Sequence, residues 1–142
     1  MGYLLHREDS EPFDMARVTD SLLGAGAHLR GGGPDPRQAN PNWTFQWTLD
    51  EAEIQVYGSA TVIKIDAAEV TDIVAQWIYD LMVTDHLLFH EETILNMLAP
   101  NEESVPSDPM FSGSKAVHTW QELQQIANYD DPEQYFQSQQ SH

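Results

Sequence analysis

The hydrophobic and polar positions of this chain follow two periods, and the change from one to the other separates predicted strands from predicted helices. Between Trp43 and Leu49, every second residue is apolar, which is typical of a strand with one buried face. Residues 54–57 alternate in the same way, and a β-branched run over residues 61–65 continues the sheet. Gly58 interrupts this second stretch, which predicts a bulge or a second tight turn.

Three segments carry apolar residues at spacings of three and four, which predicts helices. The first covers residues 11–24. The second begins at a predicted capping box formed by Asp66 and Glu69, and its apolar face extends to residue 82. The third opens at another predicted capping box, formed by Thr119 and Glu122.

The remaining segments are assigned by composition and by position in the chain. Residues 86–95 fit a strand or a helix, and we favour a strand because a turn just before them would return the chain antiparallel to the second helix. Residues 31–41 are rich in Gly and Pro, which predicts a flexible loop, and residues 96–113 predict a second, Pro-containing loop. Residues 132–142 are interpreted as a Gln-rich tail.

These elements, together with a short strand predicted over residues 3–7, indicate one α+β domain over residues 1–131. The expected fold is an antiparallel sheet with two helices on one face, in the ferredoxin-like split β-α-β order, plus a C-terminal helix. A chain of 142 residues is the usual size of one domain and is long enough to bury one hydrophobic core.

The net charge of the chain is unusually negative for a small domain. The chain has 23 acidic and 6 basic residues, a net charge of −17. Residues 1–37 hold four basic and six acidic residues, a charge of −2, whereas residues 38–142 hold two basic and seventeen acidic residues, a charge of −15. Such a surface repels nucleic acid and anionic membranes, so neither is an expected partner.

Several classes of site are excluded or disfavoured by the residues present. The chain has no Cys, which excludes disulfides, thiolate nucleophiles and Cys-ligated metals. The Gly-rich segment at residues 31–33 leads into Pro34 and not into a phosphate-binding Gly-Lys-Ser/Thr motif, and no Gly-x-Ser-x-Gly motif is present. We therefore expect no cofactor and no enzyme activity. The first residues lack the apolar run of a signal peptide and no stretch is long enough to span a membrane, so a cytoplasmic protein is expected.

One motif keeps a metal-binding or enzyme-like domain open as the alternative function. His86 and His90 are four residues apart and would share one face of a helix, where Glu91 could complete a zinc site. The spacing differs from that of zinc metalloproteases, because Leu87 stands where their Glu follows the first His. If the segment is a strand, two surface histidines are the simpler interpretation.

The negative charge has three candidate explanations: a basic protein partner, mimicry of nucleic acid, or adaptation to a saline environment. We favour the first, because acidic residues are expected on one surface and charge complementarity accelerates association. The chain resembles small acidic bacterial immunity proteins, which neutralise basic toxins, in its size, its charge and its lack of catalytic motifs. That resemblance implies a toxin inhibitor and carries over no individual residue. The predicted partner-binding residues are Asp50, Glu51, Glu53, Glu69, Asp72 and Asp80.

Overall fold

A computed structural model describes residues 2–7, 15–32, 43–49, 52–58, 61–67, 69–93, 96–107 and 113–128. The helices in this part of the chain are α1 (Met15–Gly24), α2 (Asp72–Asp85) and α3 (Trp120–Ala127), with a short 3₁₀ helix at Glu102–Ser104. The strands are β1 (Gly2–Arg7), β2 (His28–Gly32), β3 (Trp43–Leu49), β4 (Ala52–Gly58), β5 (Val62–Asp66), β6 (Leu87–Glu91), β7 (Leu98–Ala99) and β8 (Lys115–Ala116).

The eight strands form one sheet in the order β2-β3-β4-β5-β1-β6-β7-β8. All neighbouring pairs are antiparallel except β7 and β8, which are parallel. The alternation predicted from the sequence sets the register at its centre: Phe45 lies opposite Val56 and Trp47 opposite Ile54, all on one buried face. The predicted α+β class is therefore confirmed.

The strand order differs from a split β-α-β arrangement, in which the first strand lies beside a parallel one. Here β1 lies between β5 and β6 and is antiparallel to both. The reason is that the chain reverses after Gly58: β4 ends there and β5 pairs antiparallel with β4. The strand β2, which includes Gly31 and Gly32 of the predicted flexible loop, adds one more antiparallel strand at the edge.

The helices pack on one face of the sheet and bury its apolar positions. Tyr3 and Leu5 of β1 belong to the same buried cluster as Val18 of α1, Ile78 of α2 and Leu123 of α3. At the centre of that cluster the Tyr3 and Phe89 rings stack with centroids 5.4 Å apart. The Tyr3 hydroxyl donates a 3.2 Å hydrogen bond to the carbonyl oxygen of Ala127, which ties β1 to the end of α3.

Both predicted capping boxes can be compared with the helix starts. The first is wrong: Asp66 is the last residue of β5, opposite Gln55, and α2 begins six residues later with Thr71 as its N-cap. Asp66 is too far from the helix to cap it, because it pairs with β1 and β4 and the first helical residue is Asp72. The second is confirmed at its N-cap, because the Thr119 hydroxyl accepts a 3.1 Å hydrogen bond from the Glu122 backbone N–H.

The chain then reverses sharply after α2. His86 adopts the left-handed conformation, with φ of 57°, and its backbone N–H bonds to the Met82 carbonyl oxygen at the helix end. Residues 87–91 then form β6, so the predicted strand in this segment is confirmed. Two short strands and the 3₁₀ helix lie within or beside the predicted loop 96–113.

Two sequence predictions fall outside the described residues, namely most of the Gly/Pro loop, at positions 33–41, and the tail at 132–142. Among the described residues, no helix is both long enough and apolar enough to cross a membrane.

Candidate protein-binding surface

The six predicted partner-binding residues fall into two groups. Asp50 and Glu51 lie outside the described residues, and Glu53 is placed in β4 by its backbone alone. The other three, Glu69, Asp72 and Asp80, are all exposed on or just before α2. The structure therefore describes one acidic surface, along α2, and this surface contains half of the predicted residues.

The acidic surface of α2 follows directly from its helical period. Asp72, Gln76 and Asp80 recur every fourth residue, so they share one side of the helix, and each is exposed. Between them, Val74, Ala75, Trp77 and Ile78 are buried in the core. We call the exposed side formed by Asp72, Gln76 and Asp80 the α2 stripe.

A groove lies along the α2 stripe, between α2 and α1. It encloses about 560 Å³. Its lining residues are Ser21, Gly24, Ala25, Ile73, Gln76, Trp77 and Asp80. The α1 side presents only small residues, whereas the α2 side presents Ile73, the edge of the buried Trp77, the amide of Gln76 and the carboxylate of Asp80. The groove therefore has a mixed polar and apolar lining with a negative charge at Asp80.

The two helices that form the groove run antiparallel. The N-terminal part of α1 meets the C-terminal end of α2, where Arg17 Nη1 lies 2.5 Å from Asp85 Oδ1. Ser21 and Ala25 then line the groove opposite residues nearer the start of α2. The Asp85 side chain is only 10% exposed and so depends on this ion pair, which fixes the spacing of the helices at one end of the groove.

Polar atoms without a partner lie in the same pair of helices. Trp77, which lines the groove, is 2% exposed, and no described residue accepts a hydrogen bond from its Nε1–H. The Thr19 hydroxyl of α1 is likewise buried without a partner among the described residues. A buried polar group without a hydrogen-bond partner lowers the free energy of unfolding by about 1–3 kcal/mol. The helix pair α1 and α2 therefore contains two groups that destabilise the fold.

The start of the α2 stripe is held by side chains from the end of α3. Asn128 brackets the Val70 backbone: its Oδ1 accepts from the Val70 N–H at 3.0 Å and its Nδ2 donates to the Val70 carbonyl oxygen at 2.8 Å. Gln124 Nε2 donates to the same carbonyl oxygen at 3.1 Å and to Asp72 Oδ1 at 2.8 Å. Asp72 is thus positioned by Gln124 of α3, whereas Asp80 lines the groove.

The alternative metal set of His86, His90 and Glu91 is divided between different parts of the chain. His86 is the exposed residue that ends α2, whereas His90 and Glu91 are consecutive in β6 and therefore point to opposite faces of the sheet. Glu91 accepts hydrogen bonds from the backbone N–H, at 2.9 Å, and from the hydroxyl of Thr93. In the part of the chain that is described, no three His, Asp or Glu side chains are grouped to hold a metal ion.

His90 instead lies beside a second histidine that the sequence did not single out. The rings of His6 and His90 meet edge to face, with centroids 5.8 Å apart, on adjacent strands. Burial lowers the pKa of His6 below its ordinary value of 6.5, a hydrogen bond with the Arg7 carbonyl oxygen opposes this by a smaller amount, and the nearby His90 makes the smallest contribution, which lowers the pKa. Burial therefore favours the neutral form of His6.

Sequence reasoning placed the acidic side of α2 correctly and missed the groove beside it. Trp77 was assigned to the core, which it does join, but one side of it also lines the groove. The sequence did contain one indication of the groove, because the spacing of Ser21, Gly24 and Ala25 places three small residues on one side of α1.

Comparison of the chain with protein families, curated proteins and solved structures found no match. The functional interpretation therefore depends on the residues themselves.

Proposed function

We propose that this protein is an acidic protein-binding inhibitor, of the kind represented by bacterial toxin-immunity proteins, and that it neutralises a basic partner by surface complementarity. The observation that carries the proposal is the α2 stripe with its adjoining groove. Exposed carboxylates, an adjoining groove and a net chain charge of −17 occur together on this molecule.

The charge contributes mainly to the rate at which a partner is found. Complementary fields raise association rate constants from about 10⁵–10⁶ M⁻¹s⁻¹ to as much as 10⁸–10⁹ M⁻¹s⁻¹ at low salt. An inhibitor that must reach its target before damage occurs benefits from such rates. Because these fields are screened over about 10 Å at 0.1 M salt, the association should slow markedly as ionic strength rises.

The groove supplies what the charge cannot, which is short-range contact. Apolar side chains lie in and beside it: Ile73 lines the groove, and Val83, three residues after Asp80 on α2, is 49% exposed. Protein interfaces usually combine apolar contacts at their centre with a polar rim. We therefore place the centre of the partner-binding surface at the groove and its rim along the α2 stripe.

The proposal is tested by co-expression with the product of the adjacent gene. The expected result is a stoichiometric complex with a basic protein, loss of that protein's toxicity, and weaker capture at high salt. The double variant Asp72→Asn/Asp80→Asn should reduce both capture and protection. The matched control Glu102→Gln/Glu103→Gln removes the same charge from two exposed residues of the 3₁₀ helix and should leave both unchanged.

A neighbouring product that neither binds nor is neutralised would contradict the proposal. Equal losses in the two double variants would contradict the assignment to the α2 stripe, because they would show that only total charge matters.

A further inference from the structure

Two histidines lie side by side on the face of the sheet opposite the described helices. Tyr3, Leu5 and Phe89 belong to the core beneath the helices, so the alternation of each strand places His6 of β1 and His90 of β6 on the other face. The register makes them diagonal neighbours on adjacent strands, and their ring centroids are 5.8 Å apart. Sheet pairing therefore fixes the relative position of the two imidazoles.

Both rings have a hydrogen bond that determines which nitrogen carries the proton. His6 Nδ1 lies 3.4 Å from the Arg7 carbonyl oxygen, and His90 Nδ1 lies 2.9 Å from the Glu91 carbonyl oxygen. Because a carbonyl oxygen only accepts, each Nδ1 donates, and in the neutral ring the lone pair is then on Nε2. Metal-binding histidines usually have this arrangement, in which one ring nitrogen donates to a carbonyl or carboxylate oxygen and the other binds the metal.

The surroundings of the pair favour neutral rings, which is the form that binds a metal. Leu88 lies opposite His6, and Leu4 lies opposite His90. Leu88 is 5% exposed and Leu4 is half-buried, so both rings have apolar neighbours. Burial lowers the pKa of His6 below its ordinary value of 6.5. His6 can therefore bind a metal at neutral pH without first losing a proton.

Imidazole nitrogen selects the class of metal. It suits Zn²⁺, Cu²⁺ and Ni²⁺, whereas Mg²⁺ and Ca²⁺ prefer oxygen ligands. Two nitrogens bound to one Zn²⁺ at about 2.0–2.1 Å in tetrahedral geometry are roughly 3.3 Å apart. Rings whose centroids are 5.8 Å apart can reach this separation by rotation about χ2, which is a soft torsion in histidine.

Water would complete the coordination of such a metal. Among the described residues, no third His, Asp or Glu side chain is grouped with the pair. Lys64, a basic residue on the same face, lies opposite Leu4 and is paired with Glu92 at 3.1 Å, so its positive charge is compensated.

From these contacts we propose that His6 and His90 together bind one divalent transition-metal ion of the zinc and copper class through their Nε2 atoms, with water in the remaining positions. This inference goes beyond the proposed function and does not depend on it. It keeps His90 from the metal set predicted from the sequence and replaces His86 and Glu91 by His6.

The test is a titration with Zn²⁺ alone, followed through the ring signals of the ¹³C,¹⁵N-labelled protein, whose six histidines are assigned through their bonds to the backbone. The His6 and His90 signals should move together and saturate at one Zn²⁺ per chain. A Kd on the order of 10–100 µM is expected, because two ligands supply about half of the binding free energy of a four-ligand zinc site. Mg²⁺ at the same concentrations should leave both signals unchanged, which separates imidazole binding from attraction of any divalent ion to the charge of −17.

Variants identify the ligands. His6→Gln and His90→Gln should each weaken Zn²⁺ binding by at least about tenfold, because each leaves a single imidazole. His86→Asn is the matched control: it removes an exposed histidine four residues before His90, and Asn accepts the left-handed conformation of that position. Its Kd should stay within about twofold of the wild-type value, because both proposed ligands remain. The titration of the wild type decides the proposal even if a variant fails to fold.

The inference is overturned if neither or only one of the two histidine signals moves, if Mg²⁺ shifts them as Zn²⁺ does, or if His86→Asn weakens binding as much as His90→Gln. Such a failure is distinguishable from failure of the proposed function, because capture of a basic partner is expected to depend on Asp72 and Asp80 and to require no metal.

Discussion

Replacing Asn128 by Ala should destabilise the protein more than its exposed position suggests. The change removes both hydrogen bonds that hold the Val70 backbone to α3. Val70, the residue just before the α2 N-cap Thr71, then loses both of its hydrogen bonds to the Asn128 side chain. The Val70 carbonyl oxygen keeps its hydrogen bond from Gln124.

The magnitude can be worked from those two bonds. The Val70 carbonyl oxygen keeps its bond from Gln124, so losing the Asn128 donor costs about 0.5–1 kcal/mol, the lower part of the usual net value. The Val70 N–H belongs to a residue that is 1% exposed, and leaving it without an acceptor costs about 1–2 kcal/mol. The expected loss of unfolding free energy is therefore about 2 kcal/mol, or a fall in Tm of about 5–8 °C.

This loss is measured by urea denaturation monitored by Trp fluorescence. The m values of the variant and the wild type must be equal for their free energies of unfolding to be compared. Gln125→Ala is the matched control: it removes an exposed amide from the same helix and should cost less than about 0.5 kcal/mol. A loss below about 0.5 kcal/mol for Asn128→Ala would refute the reasoning, since it would show that water replaces both bonds at no cost.

Two further predictions concern β1. Tyr3→Phe removes the hydroxyl that bonds to the Ala127 carbonyl oxygen and should cost about 1 kcal/mol in thermal or urea unfolding. Because burial and, to a smaller extent, Glu91 raise the pKa of Tyr3 above 10.0, the wild type should lose stability above pH 10 and Tyr3→Phe should lose less; parallel curves would contradict this. The folded pKa of His6 lies below the unfolded value, so stability should be complete above pH 6.5 and fall as the pH is lowered through and below that value. His6→Gln should flatten this decline, and urea midpoints at pH 8, 6.5 and 5 that fall as steeply as in the wild type would show that another group is responsible.

Local sequence patterns correctly predicted those parts of the fold that are determined by residues close together in the sequence. The alternation from Trp43 to Leu49 was sufficient to identify β3 and its buried face, and Thr119 identified the start of α3. In both, the residues that determine the structure are within a few positions of each other, so tertiary contacts reinforce the local preference.

Where a distant partner determines the structure, the local pattern was misleading. Asp66 and Glu69 have the spacing of a capping box, but pairing with β1 and β4 extends β5 through Asp66. The number of strand reversals near Gly58 decides whether β5 is parallel or antiparallel to β1, and a single glycine does not specify which turn forms.

The candidate site shows the same division. Helical period alone placed Asp72 and Asp80 on one exposed side. The groove could not be predicted in this way, because it forms only where α1 packs antiparallel to α2 with Ser21, Gly24 and Ala25 opposite Trp77. Neither helix contains that information by itself, because a groove exists only between two surfaces.

The central claim is that the α2 stripe, and not merely the charge of the chain, brings a basic partner to the groove. The most direct measurement is the association rate constant with the purified partner, as a function of salt, for Asp72→Asn/Asp80→Asn and for Glu102→Gln/Glu103→Gln. The first variant should associate about tenfold more slowly at low salt and show a shallower salt dependence, while the second should stay within about twofold of the wild type. Equal rates for the two variants at every salt concentration would contradict it.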